Sequence, residues 1–169
     1  MHDYFYHNLG QTLTLTAADG SDLNLQPTEE LAFAGAHLYA YSYLYDKKVA
    51  ATAKDVKATF TIDMKDKDGD DIYMNLWMKG EPDREVFTAL APMTEGLSRT
   101  PNMPYNIKEQ PTLTFVARQH GEAWNRPFVS IYEPSTKKEP SAIQSVSYFD
   151  AEGAGFTCLQ CSEGNVAVG

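Results

Sequence analysis

The segment Val56-Lys-Ala-Thr-Phe-Thr-Ile-Asp-Met64 alternates apolar and polar side chains at every position. In an extended chain successive side chains point to opposite faces, so the pattern predicts a strand with one buried and one solvated face. Residues 72–78 repeat the alternation after the turn Asp68-Gly69-Asp70. Together the two segments predict an antiparallel hairpin that covers one side of a hydrophobic core.

Shorter segments of the same kind follow along the chain, separated by turns rich in Asp, Gly and Pro. A helix is predicted only at residues 28–36, where Thr28 can cap the first turn and Glu29 and Glu30 favour its amino terminus. Many short strands at intervals of about ten residues indicate an all-β fold, an antiparallel β-sandwich with at most one or two short helices. The further predicted strands are residues 12–16, 22–25, 85–90, 112–118, 128–132, 142–149 and 155–161.

The composition places the chain among globular proteins. It has 169 residues, of which 43% are apolar and 12% aromatic, enough for one domain with a real core. We predict a single β-sandwich over residues 1–169, of which residues 1–25 can alternatively be assigned to a preceding β layer. A net charge of −9 argues against nucleic acid or an anionic membrane as the main partner. No segment approaches the run of about 18 apolar residues that a membrane-spanning helix requires.

The opening segment His2-Asp-Tyr-Phe-Tyr-His7-Asn-Leu-Gly10 predicts an aromatic strand. Such a strand is marginal in water when isolated, which predicts neighbours on both sides and a chain that continues upstream. His2 and Tyr4 would share one face, and His7 the other. Histidine and tyrosine beside a carboxylate can act as base and acid in proton abstraction, so His7, His2 and Tyr4 are candidate catalytic residues. The alternative, commoner for these residue types, is packing at a half-buried sheet surface.

Aromatic side chains supply a second kind of candidate site. Every second residue between positions 39 and 45 is a tyrosine, and on a strand the four rings would share one face. That face can stack against sugar rings, or it can dock a neighbouring domain. Trp77, predicted on the solvated face of its strand, and Trp124, in a turn, can each stack on a sugar or cap the core. The candidate carbohydrate-binding residues are Tyr39, Tyr41, Tyr43, Tyr45, Trp77 and Trp124.

The acidic turn that contains Asp66, Asp68 and Asp70 is a candidate calcium site. It does not match an EF-hand, because placing Gly69 at the sixth position puts Met64 at the first, where a carboxylate is required. The alternatives are a looser calcium site and a solvated hairpin tip. No other cofactor is predicted.

Cys158 and Cys161 are the two cysteines of the chain, spaced C-x-x-C. Redox or metal chemistry requires both sulfurs to converge, usually at a turn or a helix start. Their segment predicts a strand, on which residues three apart point to opposite faces. We therefore interpret them as structural thiols.

Two longer segments carry a family resemblance. The first is the aromatic, His-flanked segment from His2 to Gly10. In the second, residues 111–134, a strand ending at Arg118 leads through a turn into a strand that begins with Pro127-Phe128 and ends with Glu133-Pro134. Both resemble β-strands of heparinase II/III-type polysaccharide lyases, and the order of the elements between them is compatible. The resemblance spans most of the chain.

The resemblance implies a non-catalytic carboxyl-terminal β-sandwich, preceded by an α/α toroid and a β domain of the same chain. Such lyases cleave uronate-containing polysaccharides by β-elimination, in which a base removes the C5 proton and an acid assists the leaving oxygen. Most of that machinery would lie in the toroid, with His7, or less readily His2, facing the cleft. The resemblance also implies export to the periplasm or the cell surface. The alternative function is an independent carbohydrate-binding module that uses the aromatic face.

Overall fold

The computed structural model describes residues 1–29, 41–64, 71–93, 110–150, 157–163 and 166–168. Their strands form three antiparallel sheets, and one 3-10 turn, Ala123–Asn125, lies between β8 and β9. The strands are β1 (His2–Asn8), β2 (Thr12–Ala17), β3 (Gln26–Pro27), β4 (Tyr45–Ala51), β5 (Val56–Ile62), β6 (Ile72–Met78), β7 (Arg84–Ala91), β8 (Thr112–Gln119), β9 (Ser130–Thr136), β10 (Ile143–Asp150), β11 (Thr157–Glu163) and β12 (Val166–Val168).

Two of the sheets pack face to face around the main core. The five-stranded sheet has the order β1-β8-β7-β4-β3, and the four-stranded sheet has the order β2-β5-β6-β9. Both contribute buried side chains to one hydrophobic cluster, which confirms the predicted antiparallel β-sandwich. The cluster contains Leu15, Val56, Ala58, Phe60, Leu76 and Met78 from the four-stranded sheet and Ala50, Val86, Leu113, Phe115 and Ala117 from the five-stranded sheet.

The predicted hairpin is present in the four-stranded sheet. β5 pairs with β6 in the register Val56 to Met78 and Ile62 to Ile72. The apolar positions of both strands face the core, as the alternation predicts. The other face of β6 is less open than predicted, because Asn75 and Trp77 are both only 3% exposed.

Gly10 carries the chain from one sheet to the other, between β1 and β2. Its φ of +141° is a conformation that L side chains rarely adopt, and an added Cβ would lie 2.4 Å from the carbonyl oxygen of Thr61. The next residue, Gln11, donates its backbone N–H to the same oxygen at 2.9 Å. Glycine is therefore required for the close approach of this crossing to β5.

Several other predicted elements differ from the structure or fall outside it. The strand predicted at residues 22–25 is wrong, since the two-residue strand β3 follows that segment instead. Most of the helix predicted at residues 28–36 lies outside the described residues. The strands predicted at 142–149 and 155–161 are confirmed as β10 and β11, which form the third sheet together with β12. Cys158 and Cys161 both lie on β11, as predicted.

A second apolar cluster covers the outer face of the five-stranded sheet. Phe87 of β7 and Val116 of β8 are buried there, together with Leu44 from the segment before β4. Phe5 of β1 and Tyr41 pack against them. This sheet is therefore covered on both faces, and β1 contributes aromatic side chains to both clusters.

Candidate functional site

A buried ion pair joins β1 to β8 on the outer face of the five-stranded sheet. Asp3 and Arg118 stand opposite each other in the strand register. The guanidinium donates from Nε to Asp3 Oδ1 and from Nη2 to Asp3 Oδ2, both at 2.9 Å. The Arg118 and Asp3 side chains are only 6% and 4% exposed. A two-pronged pair of this kind fixes both side chains and excludes water from them.

Tyr41 closes over this pair instead of joining a row of exposed rings. Its hydroxyl donates to Asp3 Oδ2 at 2.9 Å, and its ring stacks on Phe5 with the centroids 4.9 Å apart. Burial, and then the hydrogen bond to Asp3, raise the pKa of Tyr41. Tyr41 and Tyr43 lie in a turn, so the predicted strand with four aligned tyrosines is wrong at these two positions.

The other three tyrosines between positions 39 and 45 have different surroundings. Tyr43 and Tyr45 are 43% and 44% exposed, and Tyr45 begins β4. Tyr39 lies outside the described residues. Sugar contact at Tyr43 and Tyr45 stays a prediction.

His7 lies on the same face of β1 as Asp3 and is exposed. Its Nδ1 is 2.8 Å from Thr114 Oγ1, across the β1–β8 pairing. The Thr114 hydroxyl can itself donate to the carbonyl oxygen of Thr112 at 3.4 Å, and it then accepts from His7 Nδ1–H. In that tautomer the lone pair is on Nε2, as a proton acceptor requires. A surface groove lined by His7, Tyr43, Ala91, Pro92 and Thr112 lies beside it.

The pKa of His7 gives a pH-dependent prediction. Although the side chain as a whole is exposed, the ring is partly desolvated where it lies against Thr114, and this lowers the pKa of His7 below its ordinary value of 6.5. Because the unfolded chain then takes up the proton at higher pH than the folded chain, stability is full above the ordinary pKa and falls as the pH drops through it. In an NMR titration the His7 ring should titrate with a midpoint below 6.5.

The His7→Gln variant is the control for that prediction. It lacks the titrating ring, so its free energy of unfolding should fall less than that of the wild type as the pH is lowered through this window. A His7 midpoint at or above the ordinary value would contradict the prediction.

The other predicted catalytic candidates do not join His7. Tyr4 faces the main core, where its ring lies 6.4 Å from Phe115 and 5.6 Å from Phe128, centroid to centroid. Burial raises the pKa of Tyr4, which opposes ionisation of the hydroxyl. His2 is exposed and shares the Tyr4 side of the strand. The structure thus separates His7 from Tyr4 and His2 by the thickness of the sheet.

The predicted solvent exposure of Trp77 is also wrong. This residue was expected on a solvated face, but it is only 3% exposed and the Lys57 ammonium lies 4.5 Å from its ring centroid. Burial lowers the pKa of Lys57. On the same face Thr59 donates to Asn75 Oδ1 at 2.9 Å. A ring enclosed in this way cannot stack on a sugar without rearrangement of the sheet.

Trp124 is the opposite case, since 72% of its surface is exposed. It lies on the 3-10 turn Ala123–Asn125, in the connection between β8 and β9. Ala123, which is 3% exposed, anchors the turn. The structure therefore excludes a core-capping role for Trp124 and leaves the ring accessible to a ligand.

Two buried polar residues that the sequence did not single out hold this connection. Arg84 and Gln119 are 2% and 0% exposed. Arg84 Nε donates to Gln119 Oε1 at 2.9 Å, and Gln119 Nε2 donates to the carbonyl oxygen of Pro82 at 2.7 Å. The sequence signal was weak, because each lies at the end of a strand beside a charged residue, Glu85 or Arg118, where a polar side chain is usually solvated.

The metal candidates Asp66, Asp68 and Asp70 lie outside the described residues. Among the residues that the structure describes, no group of three His, Cys, Asp or Glu side chains is arranged to hold a metal ion. Within the same part of the chain, every helix is too short or too polar to cross a membrane.

Comparison with known proteins gives one informative match. No family model matches the chain, and no solved structure matches it. The chain is 32% identical over 149 residues to an endo-acting ulvan lyase of Formosa agariphila. The match covers 86% of this chain but only 17% of the length of that relative. The all-β sandwich described above is therefore related to one part of a polysaccharide lyase.

Proposed function

We propose that this chain is a non-catalytic β-sandwich of a polysaccharide lyase, contributing architecture and one wall of the substrate cleft. The observation that carries the proposal is the match to 17% of an endo-acting ulvan lyase. A segment of that size in a long enzyme is typically one domain among several. The parent enzyme would cleave a uronate-containing polysaccharide by β-elimination, with ulvan as the first substrate to test.

The geometry of β1 supports a non-catalytic role. β-Elimination requires a base, an acid and a cation that stabilises the charge developing on the uronate carboxyl group. Asp3, Arg118 and Tyr41 are already bonded to one another, and their side chains are partly or fully buried. Tyr4 is directed into the core. His7 alone of the predicted catalytic candidates combines exposure with a partner that orients its ring, so it is the residue that would face a cleft.

The finer parts of the proposal rest on the family resemblance. In this proposal the parent enzyme is heparinase II/III-like, and the chain is its carboxyl-terminal part. An α/α toroid and a β domain of the same parent precede the chain and are its partners. Export to the periplasm or the cell surface belongs with these finer parts. The net charge of −9 supports this division, because a surface of that charge attracts a polyanionic sugar poorly and leaves the neutralising cations to another domain.

The proposal predicts that the purified chain does not cleave polysaccharides. Ulvan, heparan sulfate and alginate should each give no increase in the ultraviolet absorbance of the unsaturated uronate product. A full-length ulvan lyase assayed in parallel is the positive control. Turnover by the chain that disappears in His7→Ala would contradict the proposal, because it would locate a complete catalytic site here.

The alternative, an independent carbohydrate-binding module, loses its four-ring platform at Tyr41 and Tyr43. What favours it is the exposure of Tyr45 and of Tyr43, which lines the groove beside His7. Affinity electrophoresis in gels that contain ulvan tests this alternative. Binding that is lost in both Tyr43→Ala and Tyr45→Ala, with unchanged unfolding curves, would favour the module.

A further inference from the structure

The loop between β8 and β9 presents one large aromatic ring to solvent. Trp124 is 72% exposed, whereas Ala123 beside it is 3% exposed. An indole that stays in water lacks the stabilisation of about 25 cal/mol for each Å² of apolar surface that burial would provide. A single exposed apolar side chain is common on protein surfaces, so exposure alone decides nothing. What distinguishes Trp124 is how firmly its loop is held.

A buried guanidinium fixes the end of that loop. Arg84, 2% exposed, donates from Nη2 to the carbonyl oxygens of Arg126 and Pro127, each at 3.4 Å, and from Nη1 to that of Lys79. Its carbon Cζ lies 4.8 Å from the ring centroid of Phe128. These contacts fix the residues that follow Trp124 against the β6–β7 connection.

Asp83 holds the same end of the Trp124 loop from the solvent side. Arg126 Nη1 donates to Asp83 Oδ2 and to the carbonyl oxygen of Pro82, each at 2.8 Å. At the other end of the loop, the backbone N–H of His120 donates to the carbonyl oxygen of Asp83 at 3.1 Å. Both ends of the Trp124 loop are thus bonded to one short connection.

Two features that oppose stability therefore occur together. The acceptors of Arg84 are neutral groups, and burial lowers the pKa of this guanidinium to about 10. Trp124 leaves its ring in water. Departures from good packing that coincide at one site are a sign of function, since folding alone would remove them. The exposed indole, on a loop whose two ends are held, is suited to binding by stacking.

The surroundings of Trp124 favour a sugar over a protein partner. Its neighbours Glu122, Asn125 and Arg126 are polar, whereas a stable protein interface buries about 800 Å² on each partner around a hydrophobic centre, more than one ring supplies. A pyranose ring needs only one aromatic face and hydrogen-bonding groups at its edge. Such groups line the groove that contains Asp83, Glu85 and His120, and Asp83 and His120 also hold the two ends of the Trp124 loop.

We propose that Trp124 stacks against one pyranose ring of a polysaccharide chain, whose hydroxyl groups bond to the groove of Asp83, Glu85 and His120. The class of ligand rests on the proposed function, but the site itself rests on this loop. Arg126 already pairs with Asp83, and His120 Nε2 lies against Glu85 Oε2, each at 2.8 Å. The sugar is therefore held by stacking and by hydroxyl bonds, not by ion pairing.

Tryptophan fluorescence gives a direct test, because the chain has two tryptophans and Trp77 is buried. Acrylamide should quench Trp124 selectively, and ulvan or xylan should protect it. Trp124→Ala should weaken binding in affinity electrophoresis by about tenfold or more, as expected for loss of one stacking contact. Binding by the wild type should persist in about 1 M salt, where charges are screened beyond about 3 Å.

The matched control is Phe149→Ala, which removes another exposed ring, 49% exposed, on β10. It should leave binding unchanged. Equal binding by Trp124→Ala and the wild type overturns the inference, as does the absence of protection by both polysaccharides. Protection of Trp124 by self-association, detected by sedimentation, also overturns it. None of these results affects the proposed lack of turnover, which is assayed separately.

Discussion

Replacing Asp3 by alanine is expected to lower the free energy of unfolding by about 3–5 kcal/mol, the usual effect of breaking a buried ion pair from one side. The guanidinium of Arg118 would lose both hydrogen bonds to Asp3 while its side chain stays 6% exposed. Tyr41 would lose its acceptor at the same time. Urea-induced unfolding followed by circular dichroism measures the change.

Asp83→Asn is the matched control, because Asp83 also pairs with an arginine and asparagine tolerates its φ of +59°. That pair joins Arg126 to a carboxylate that is 65% exposed. Exposed pairs of this kind contribute about 0–1 kcal/mol, so this variant should unfold close to the wild-type midpoint. Similar losses in both variants would contradict the assignment of Asp3 as a structural anion. Asp3→Asn should fall between the two, since it removes the charge but keeps an acceptor.

Arg84→Met is expected to have the second large effect, a loss of about 3 kcal/mol. Burying the guanidinium is itself costly, but its acceptors are positioned for it, and each buried acceptor left unpaired costs about 1–3 kcal/mol. The acceptors are Gln119 Oε1 and the carbonyl oxygens of Lys79, Arg126 and Pro127. Methionine keeps the volume of the side-chain stem, but it removes the guanidinium that lies over the Phe128 ring. Unfolding in guanidinium chloride, followed by circular dichroism, measures the loss in stability.

The same variant should loosen the Trp124 loop without exposing Trp77. A rise in fast motion of the Trp124 indole, measured by fluorescence anisotropy decay, is the expected sign. Arg84→Lys should recover little of the stability, because an ammonium cannot bond the same set of acceptors with fixed geometry. Full stability and unchanged anisotropy in Arg84→Met would show that the guanidinium does not brace the loop.

Alternation was a reliable guide to the strands of the hairpin. The predicted segment 56–64 corresponds to β5 (Val56–Ile62), and the predicted segment 72–78 is β6 (Ile72–Met78). Period two reports which side chains share a face, and the apolar face finds the core through burial. It does not report what covers the other face. Trp77 was misplaced for that reason, since Lys57 lies over its ring.

The tyrosine segment shows another limit of periodicity. Alternating Tyr and small residues fit a strand, yet Tyr41 lies in a turn and stacks on Phe5, 36 positions earlier in the chain. Its place depends on the Asp3–Arg118 pair beneath it, which is a contact between distant segments. Likewise, no local signal showed that Arg84 and Gln119 bond each other beneath the Trp124 loop. The sequence predicts Trp124 as a candidate sugar-binding residue, but only the structure shows that its ring is exposed.

The pairing of β1 with β8 has a consequence for biosynthesis. Asp3 and Arg118 are 115 positions apart, and every β1 residue from His2 to Asn8 has its partner on β8. On a ribosome the aromatic segment must therefore wait on the order of ten seconds before its partner is translated. Until then its open backbone groups and rings are available to chaperones or to other nascent chains. Translation that stalls before Leu113 would leave that segment without any of its partners on β8.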